Sequence, residues 1–449
     1  MKVAASLAVM LIALLCSNAG ILNSVEAAKQ NETDSDLQAR IDQAKAGDII
    51  TLASGEYEGP LTISKPLTLE AEPGAEVTIA NKSEQPAVTV ASHDVTLTGF
   101  RINDAAMKEQ PSILINRSQS FRLANLEIET GSYGIRMADS NQGEIRNTLI
   151  EWAGERADAP VKLSEKGNGI DLYQSHDNVL EGNTIIAMHD GIYMENSDRN
   201  TVAANRFERL RYGVHCMYTV GTVIRDNAGE YNITGAMIMA VREVEVSSNR
   251  FAKQNENVNS QGILLFDAES SVIRDNVTEG NRVGLYVEQS ARNTITGNRV
   301  IGNYIGLQLL KAEDNQITDN LFVGNVVQAE AKQSVRNELS ANYWDAFQGI
   351  DTDGDGGSDI RYAISPFFQS VVKAKPAFQL FFQAPSFQFL EQLFQSDKEA
   401  WTKDAEPLMA PSGATAVQAA GEDHGLSMAV SIMLLCAAVA ILIKTGVKK

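Results

Sequence analysis

Gly284-Leu-Tyr-Val-Glu288 and Asn293-Thr-Ile-Thr-Gly-Asn298 decide the fold, because both patterns recur along the chain. Asparagine returns at Asn183, Asn205, Asn227, Asn249, Asn276, Asn298, Asn320 and Asn342, at intervals of 22 residues with one of 27. Glycine keeps the same beat at Gly191, Gly213, Gly235, Gly262, Gly284 and Gly306. A fixed period of this size marks a repeat architecture, in which each unit buries its apolar face only against its neighbours. The pieces between are strand-length, alternate with period two and show no helical period. Leucine-rich repeats share the period, but their L-x-x-L-x-L pattern is missing. The expectation is an all-β, right-handed parallel β-helix with coils of about 22 residues. Asparagines stacked at one position per coil form a hydrogen-bonded ladder that satisfies the turn backbone. The interval of 27 is then one coil with a five-residue loop bulging outward near Asn255 to Gln261.

The chain has 449 residues, a net charge of −19 and a sequence pI near 4.8. That balance argues against a nucleic-acid partner and is compatible with attracting cations. Cysteine is scarce: Cys16, Cys216 and Cys436. Lys2, the apolar run Val3 to Leu15 and the small residues up to Ala27 read as a signal peptide over residues 1–27. That leaves Cys216 as the single cysteine of the body, with no intramolecular disulfide open to it. A second apolar run, Leu426 to Ile443, suits a transmembrane helix over residues 425–443. Lys444, Lys448 and Lys449 behind it put residues 444–449 on the cytoplasmic side. The body would sit in the periplasm, tethered to the inner membrane.

In residues 28–46, Leu37, Ile41 and Ala44 recur at helical spacing. They indicate a short N-terminal cap helix, since an open β-helix end presents unpaired strand edges. Coils occupy residues 47–345. From Asn147 to Asn183 there are 36 residues, one coil plus 14, and the excess falls near Glu155 to Lys166. Protruding loops on a rigid body are where partners are met, or are plain solvated insertions. After an Asp-rich loop over residues 346–365 comes a Phe- and Gln-rich segment over residues 366–410, broken at Pro376 and Pro385. It reads as C-terminal helical segments that cap the last coil or dock on a membrane partner, with Phe378, Phe381, Phe387 and Leu390 as docking residues. Residues 411–424 form a linker rich in Ala, Pro and Gly.

Two constellations carry chemistry. Asp351, Asp353 and Asp355 at positions 1, 3 and 5, Gly356 at 6 and Asp359 at 9 match the start of a calcium loop. Position 12 is Tyr362, so this is no EF-hand. The reading is a structural Ca²⁺ or Mg²⁺ site, against an acidic glycine turn without metal. The second appears when coils are aligned on their glycines. First and third positions after the glycine are apolar throughout and face inward, which buries Met194 and Cys216. Second and fourth positions then point outward and gather His215, Met217, Met237 and Met239 in one patch. Adjacent strands lie about 4.8 Å apart and alternate residues about 6.7 Å apart, so these side chains can converge on one ion. Imidazole and thioether ligands suit Cu(I); the alternative is an apolar patch covered by a partner. His189 and Met188 lie nearby on another strand. A polysaccharide-binding or polysaccharide-cleaving β-helix would need clustered acids on an outer face, for which Asp171, Asp190 and Glu195 are the candidates.

With these residues in view, the chain resembles the NosD family of periplasmic β-helix proteins required for maturing nitrous-oxide reductase. The likeness runs from about Leu37 to Met409. Its most specific pieces are Arg211-Tyr-Gly-Val-His-Cys-Met-Tyr218, Met237-Ile-Met239, Asn342-Tyr-Trp-Asp345 leading into Asp351-Thr-Asp-Gly-Asp355, and Pro407-Leu-Met409. The resemblance implies a scaffold that is not an enzyme. It would handle Cu(I) received from a copper chaperone lipoprotein. It would work with an ABC permease and its cytoplasmic ATPase and serve the nitrous-oxide reductase apoenzyme. His215, Met217 and Met239 match the family pattern by position. Where the family often carries His before the Pro407 motif this chain has Glu406, and no metal role is implied there. The apolar run after Leu426 goes beyond the usual family ending.

Overall fold

The computed structural model describes residues 37–154, 160–255, 257, 259–365 and 401–411, and, of the segment between, only residues 367, 371, 378, 386, 389, 390 and 393. Its strands are three to six residues long through most of the body, and each coil contributes one strand to each of three parallel sheets. Among the described residues these sheets hold 15, 13 and 12 strands. Successive strands in the regular part pair with an offset of 22 residues, as in Thr201 with Val223 and Arg206 with Ala228. Between Thr234 and Gln261 the offset is 27, while Asn232 still meets Gln254 at 22, so the extra residues lie between Gln254 and Gln261.

Alternation explains the core. In each three-residue strand of the first sheet the central side chain turns inward. Leu180, Val202, Ile224, Val246, Ile273 and Ile295 stack in register and are buried. Each such side chain removed from water contributes roughly 1.5–3 kcal/mol. β-Branched residues suit this pleated stack. The corners are made by asparagine. The residue before each rung takes the left-handed backbone region, as at Ala204, Asp226, Ser248 and Asp275. That bend turns the next side chain inward. Asn205 Nδ2 then donates to Asn227 Oδ1 at 3.0 Å and to the Leu180 carbonyl at 2.9 Å. The buried amide is thereby satisfied, and each rung also accepts from the backbone N–H of the one before.

Further ladders run beside the one visible in the spacing, through Asn281, Asn303 and Asn325 and through Asn293, Asn315 and Asn337. The spacing counts the inserted coil from Asn147, but the rung before Asn183 is Thr148, whose N–H donates to Asn183 Oδ1 at 3.0 Å. Asn147 takes the left-handed bend instead. The coil offset is therefore 35, as Leu149 pairs with Thr184.

Both ends are closed. Helix α1 (Leu37–Gln43) buries Leu37 and Ile41, and Gln38 uses both ends of its amide on the edge strand, accepting from Thr62 N–H at 2.7 Å and donating to Thr62 O at 3.1 Å. At the far end Lys403–Asp404 pairs with the strand Glu338–Ser340, and Tyr362–Ala363 pairs antiparallel with it. The Asp404 carboxylate is the last rung, accepting from Asn342 Nδ2 at 2.9 Å and Trp344 Nε1 at 3.0 Å. Trp344 stacks between Phe322 and Tyr362. Phe367 and Phe378 lie elsewhere, against a cluster of Val283, Ile305 and Val327 on the outer side of the third sheet. Leu390 is 48% exposed. Phe381, Phe387, the leader 1–27 and the run 425–443 lie outside the described residues. Among the described residues no helix is long and apolar enough to cross a membrane.

Candidate metal centre

The strands Asp190–Glu195, Tyr212–Met217, Thr234–Met239 and Gln261–Phe266 lie side by side in the third sheet. Glycine at their second position permits close coil stacking: a Cβ on Gly213 would stand 2.6 Å from the Gly235 carbonyl oxygen. Register then decides the neighbours. Tyr193, His215, Met237 and Leu264 form one column, and Glu195, Met217, Met239 and Phe266 the next. Met194, Cys216 and Ile238 occupy the inward column between them and are fully buried. Burial pushes the Cys216 thiol up to about 12, against a hydrogen bond with Thr219 that pulls it down. It is a core side chain and no thiolate ligand.

His215 is the most constrained member. It is 7% exposed, and the rings of Tyr193 and Tyr212 stand edge-on to it at 4.9 Å each. Its Nδ1 lies 3.0 Å from Asp190 Oδ2. Its Nε2 is buried and has no hydrogen-bond partner among the described residues. Asp190 is itself fully buried and held by Arg211, whose Nε and terminal nitrogen donate at 2.8 and 2.6 Å. Burial would raise this carboxyl, but Arg211 and His215 outweigh it and hold it below its ordinary range. A carboxylate on one ring nitrogen fixes the tautomer and frees the other nitrogen as a donor, the usual outer support of a metal-bound imidazole. Met217, Met237 and Met239 are half-buried beside it. The donor set is therefore one aimed imidazole nitrogen and thioethers, a soft set that suits Cu(I). His189 stands near Asp190, Arg211 and His215, and burial lowers its pKa. Met188 is fully buried in the core.

The acids weighed for sugar chemistry are all engaged. Asp190 is bound as above. Glu195 Oε2 accepts from the Tyr193 hydroxyl at 2.8 Å. Asp171 lies 3.5 Å from Arg136, and burial pushes it up to about 6 against that cation. The link from Asp190 to His215 is what the repeat does not announce: the two are 25 residues apart, one coil plus three. The recurring position before the glycine, held by Asp190, Tyr212, Thr234 and Gln261, is the signal that marks Asp190 as unusual there.

The Asp-rich loop has different geometry. Asp351, Asp353 and Asp355 offer oxygens within 4.8 Å of one another, a fit for one hard cation. Asp351 is set by the N–H groups of Gly354 and Gly356 at 2.6 and 3.0 Å. Asp359 stands outside that group of oxygens, and its Oδ2 accepts from both the N–H and the hydroxyl of Thr352. Gly357 bridges to Leu408, so the loop also ties the Pro407-Leu408-Met409 segment to the last coil.

Residues 152–353 match the family model described as NosD, periplasmic copper-binding protein. Two curated relatives are both described as a probable ABC transporter binding protein NosD. The one from Stutzerimonas stutzeri is 27% identical over 80% of this chain and 86% of its own. The one from Pseudomonas aeruginosa is 29% identical over 80% of this chain and 87% of its own. Among solved structures, the complex of an alginate lyase with G6 superposes with a TM-score of 0.52 at 14% identity, covering 68% of this chain and 81% of that one. At that identity the likeness shows the fold alone.

Proposed function

From its similarity to NosD proteins, we propose that this chain is a periplasmic scaffold that receives Cu(I) from a copper chaperone lipoprotein and passes it on. The recipient is the nitrous-oxide reductase apoenzyme, and the scaffold works with an ABC permease and its cytoplasmic ATPase at the inner membrane. It is a carrier and no enzyme; copper is its cargo. One observation carries the reading: His215 Nε2 is buried and unpartnered while Nδ1 is held by Asp190, and methionines stand at the neighbouring register positions. A buried nitrogen without a partner is costly in a finished fold, and a metal relieves that cost. Thioethers around one imidazole release Cu(I) stepwise, because single soft ligands exchange one at a time. Ca²⁺ or Mg²⁺ at Asp351, Asp353 and Asp355 has a structural role, pinning the end of the last coil.

The test is competition for Cu(I) against a chromogenic chelator, with wild type beside His215→Ala/Met217→Ala/Met239→Ala. Circular dichroism checks that the variant folds. The expected result is a loss of more than about 100-fold in Cu(I) affinity, since removing the ligands themselves costs more than the roughly 10–100-fold of losing their outer support. Equal competition by wild type and folded variant refutes the site. A folded variant that still supports copper loading of the reductase refutes the role.

A further inference from the structure

The carboxylates of Glu195 and Asp190, which stand beside the imidazole and sulfur groups, are each held by another side chain. Glu195 is in register with Met217, within side-chain reach of any ion gathered there. Yet its Oε2 accepts the Tyr193 hydroxyl at 2.8 Å. Asp190 gives both oxygens to Arg211 and one also to His215. The far edge repeats the device: Tyr286 hydrogen-bonds Glu288, which pairs with Phe266. The difference matters chemically. Divalent ions such as Co²⁺, Zn²⁺ or Mn²⁺ bind well where a carboxylate oxygen joins an imidazole, whereas Cu(I) is content with thioether and imidazole alone.

Resting on the copper reading of the patch, we propose that Tyr193 is a specificity-determining residue. By holding Glu195 it keeps the patch a nitrogen–sulfur site that accepts Cu(I) and refuses divalent ions. The same ring walls one side of His215 at 4.9 Å, so removing only its hydroxyl separates the two roles. Tyr193→Phe keeps the wall and frees the carboxylate. Freed Glu195 then turns to the ion as a hard ligand beside His215 Nε2.

The experiment uses the purified full-length protein and two probes, Co²⁺ alone, read by its visible absorption, and Cu(I) against a chelator. With excess Ca²⁺ present to occupy the Asp351–Asp355 loop, wild type is expected to take Cu(I) and to leave Co²⁺ unbound at the patch. Tyr193→Phe is expected to gain Co²⁺ affinity by about tenfold or more, because a direct carboxylate ligand adds at least as much as the roughly tenfold that an outer-shell partner contributes, with Cu(I) affinity unchanged. Tyr193→Phe/Glu195→Gln is expected to lose that gain, and Glu195→Gln alone to change nothing. Thermal unfolding confirms that each variant is folded. A folded Tyr193→Phe that binds Co²⁺ no better than wild type overturns the proposal, as does a gain that survives Glu195→Gln. A fall in Cu(I) affinity in Glu195→Gln alone makes Glu195 a ligand and also overturns it. Wild type that takes no Cu(I) removes the copper reading itself. Failure of the specificity role with Cu(I) binding intact appears only in the Co²⁺ arm, so the two failures are distinct.

Discussion

The two candidate metal sites are built by opposite means. The His215 patch draws its groups from three coils, brought together by strand register, and its key ring is buried and clamped by Asp190. The loop from Asp351 to Asp355 draws its groups from five consecutive residues, largely exposed, and is shaped by hydrogen bonds from its own backbone. The first site is rigid because the whole stack holds it; the second is local and depends on its own turn. The donor chemistry divides in the same way, soft nitrogen and sulfur on the sheet and hard oxygen in the loop. On the proposed reading, ligand type keeps cargo and structural metal apart.

The comparison breaks most visibly at Asp190. Asp190→Ala leaves the half-buried Arg211 and the His215 Nδ1 without their shared partner. Removing one member of a buried pair costs about 3–5 kcal/mol, and losing the outer support of a metal-binding imidazole lowers metal affinity roughly 10–100-fold. Urea unfolding and Cu(I) competition measure the two. Asp353→Ala on the exposed loop should shift unfolding without metal by no more than about 0.5 kcal/mol and leave Cu(I) binding alone. Equal effects from the two substitutions would show that the patch is no more supported than the loop.

Carboxylates of the two regions also differ in the sign of their pH dependence. Burial raises Asp171, beside the patch, to about 6. Its folded form holds a proton more tightly than the unfolded chain does. The stability it contributes is full below about pH 4 and is lost as pH rises through about 6. A shift of this size corresponds to at most about 3 kcal/mol. Asp359, on the loop, is lowered by the hydroxyl and N–H of Thr352. Its contribution is present at neutral pH and is lost as pH falls through its depressed value. Asp171→Asn should therefore flatten the fall in urea midpoint between pH 4 and 7. Thr352→Ala should leave that window unchanged and act only in acid. A wild-type midpoint that does not fall across the window would sink the assignment to Asp171.

How far each site is legible in the sequence follows from the same contrast. The coils announce themselves because a ladder demands one residue type at one position, and Asn205, Asn227 and Asn249 supply it. Aligning on glycine is enough to bring His215 beside Met237, since the ladder keeps that register. Contacts that run diagonally between coils are not written in the period, which hides Asp190 against His215. Nor does a period mark a rung supplied from outside it: Asp404 ends the ladder from 62 residues beyond Asn342. Thr148 escapes because only its backbone N–H serves as the rung's donor to Asn183. The packing of Phe378 leaves a weak trace. The first position of the third-sheet strands changes from Tyr212, Thr234 and Gln261 to Val283, Ile305 and Val327, where Phe367 and Phe378 cover it. Such a switch from polar to apolar on an outer face marks a surface that something must cover.

The smallest expected effect concerns the loop itself. Three carboxylate oxygens within 4.8 Å repel one another until a cation joins them. The loop also carries the bridge between Gly357 and Leu408 that ties the closing segment to the last coil. An ion bound to the folded loop and absent from the unfolded chain stabilises by mass action, about 1.4 kcal/mol when Ca²⁺ is tenfold above its dissociation constant. Ca²⁺ should raise the urea midpoint of wild type, and a chelator should reverse it. Asp353→Asn weakens a ligand but keeps an oxygen to accept from the Asp355 N–H, the hydrogen bond Asp353 makes within the loop, so it should abolish the Ca²⁺ response with little change in the metal-free protein. Cu(I) competition should be the same with and without Ca²⁺. If Ca²⁺ moves Cu(I) affinity, the two sites are coupled through the coil stack and the division into cargo and structural metal fails. If Ca²⁺ leaves the wild-type midpoint where it was, the loop is an acidic turn held by its own backbone hydrogen bonds.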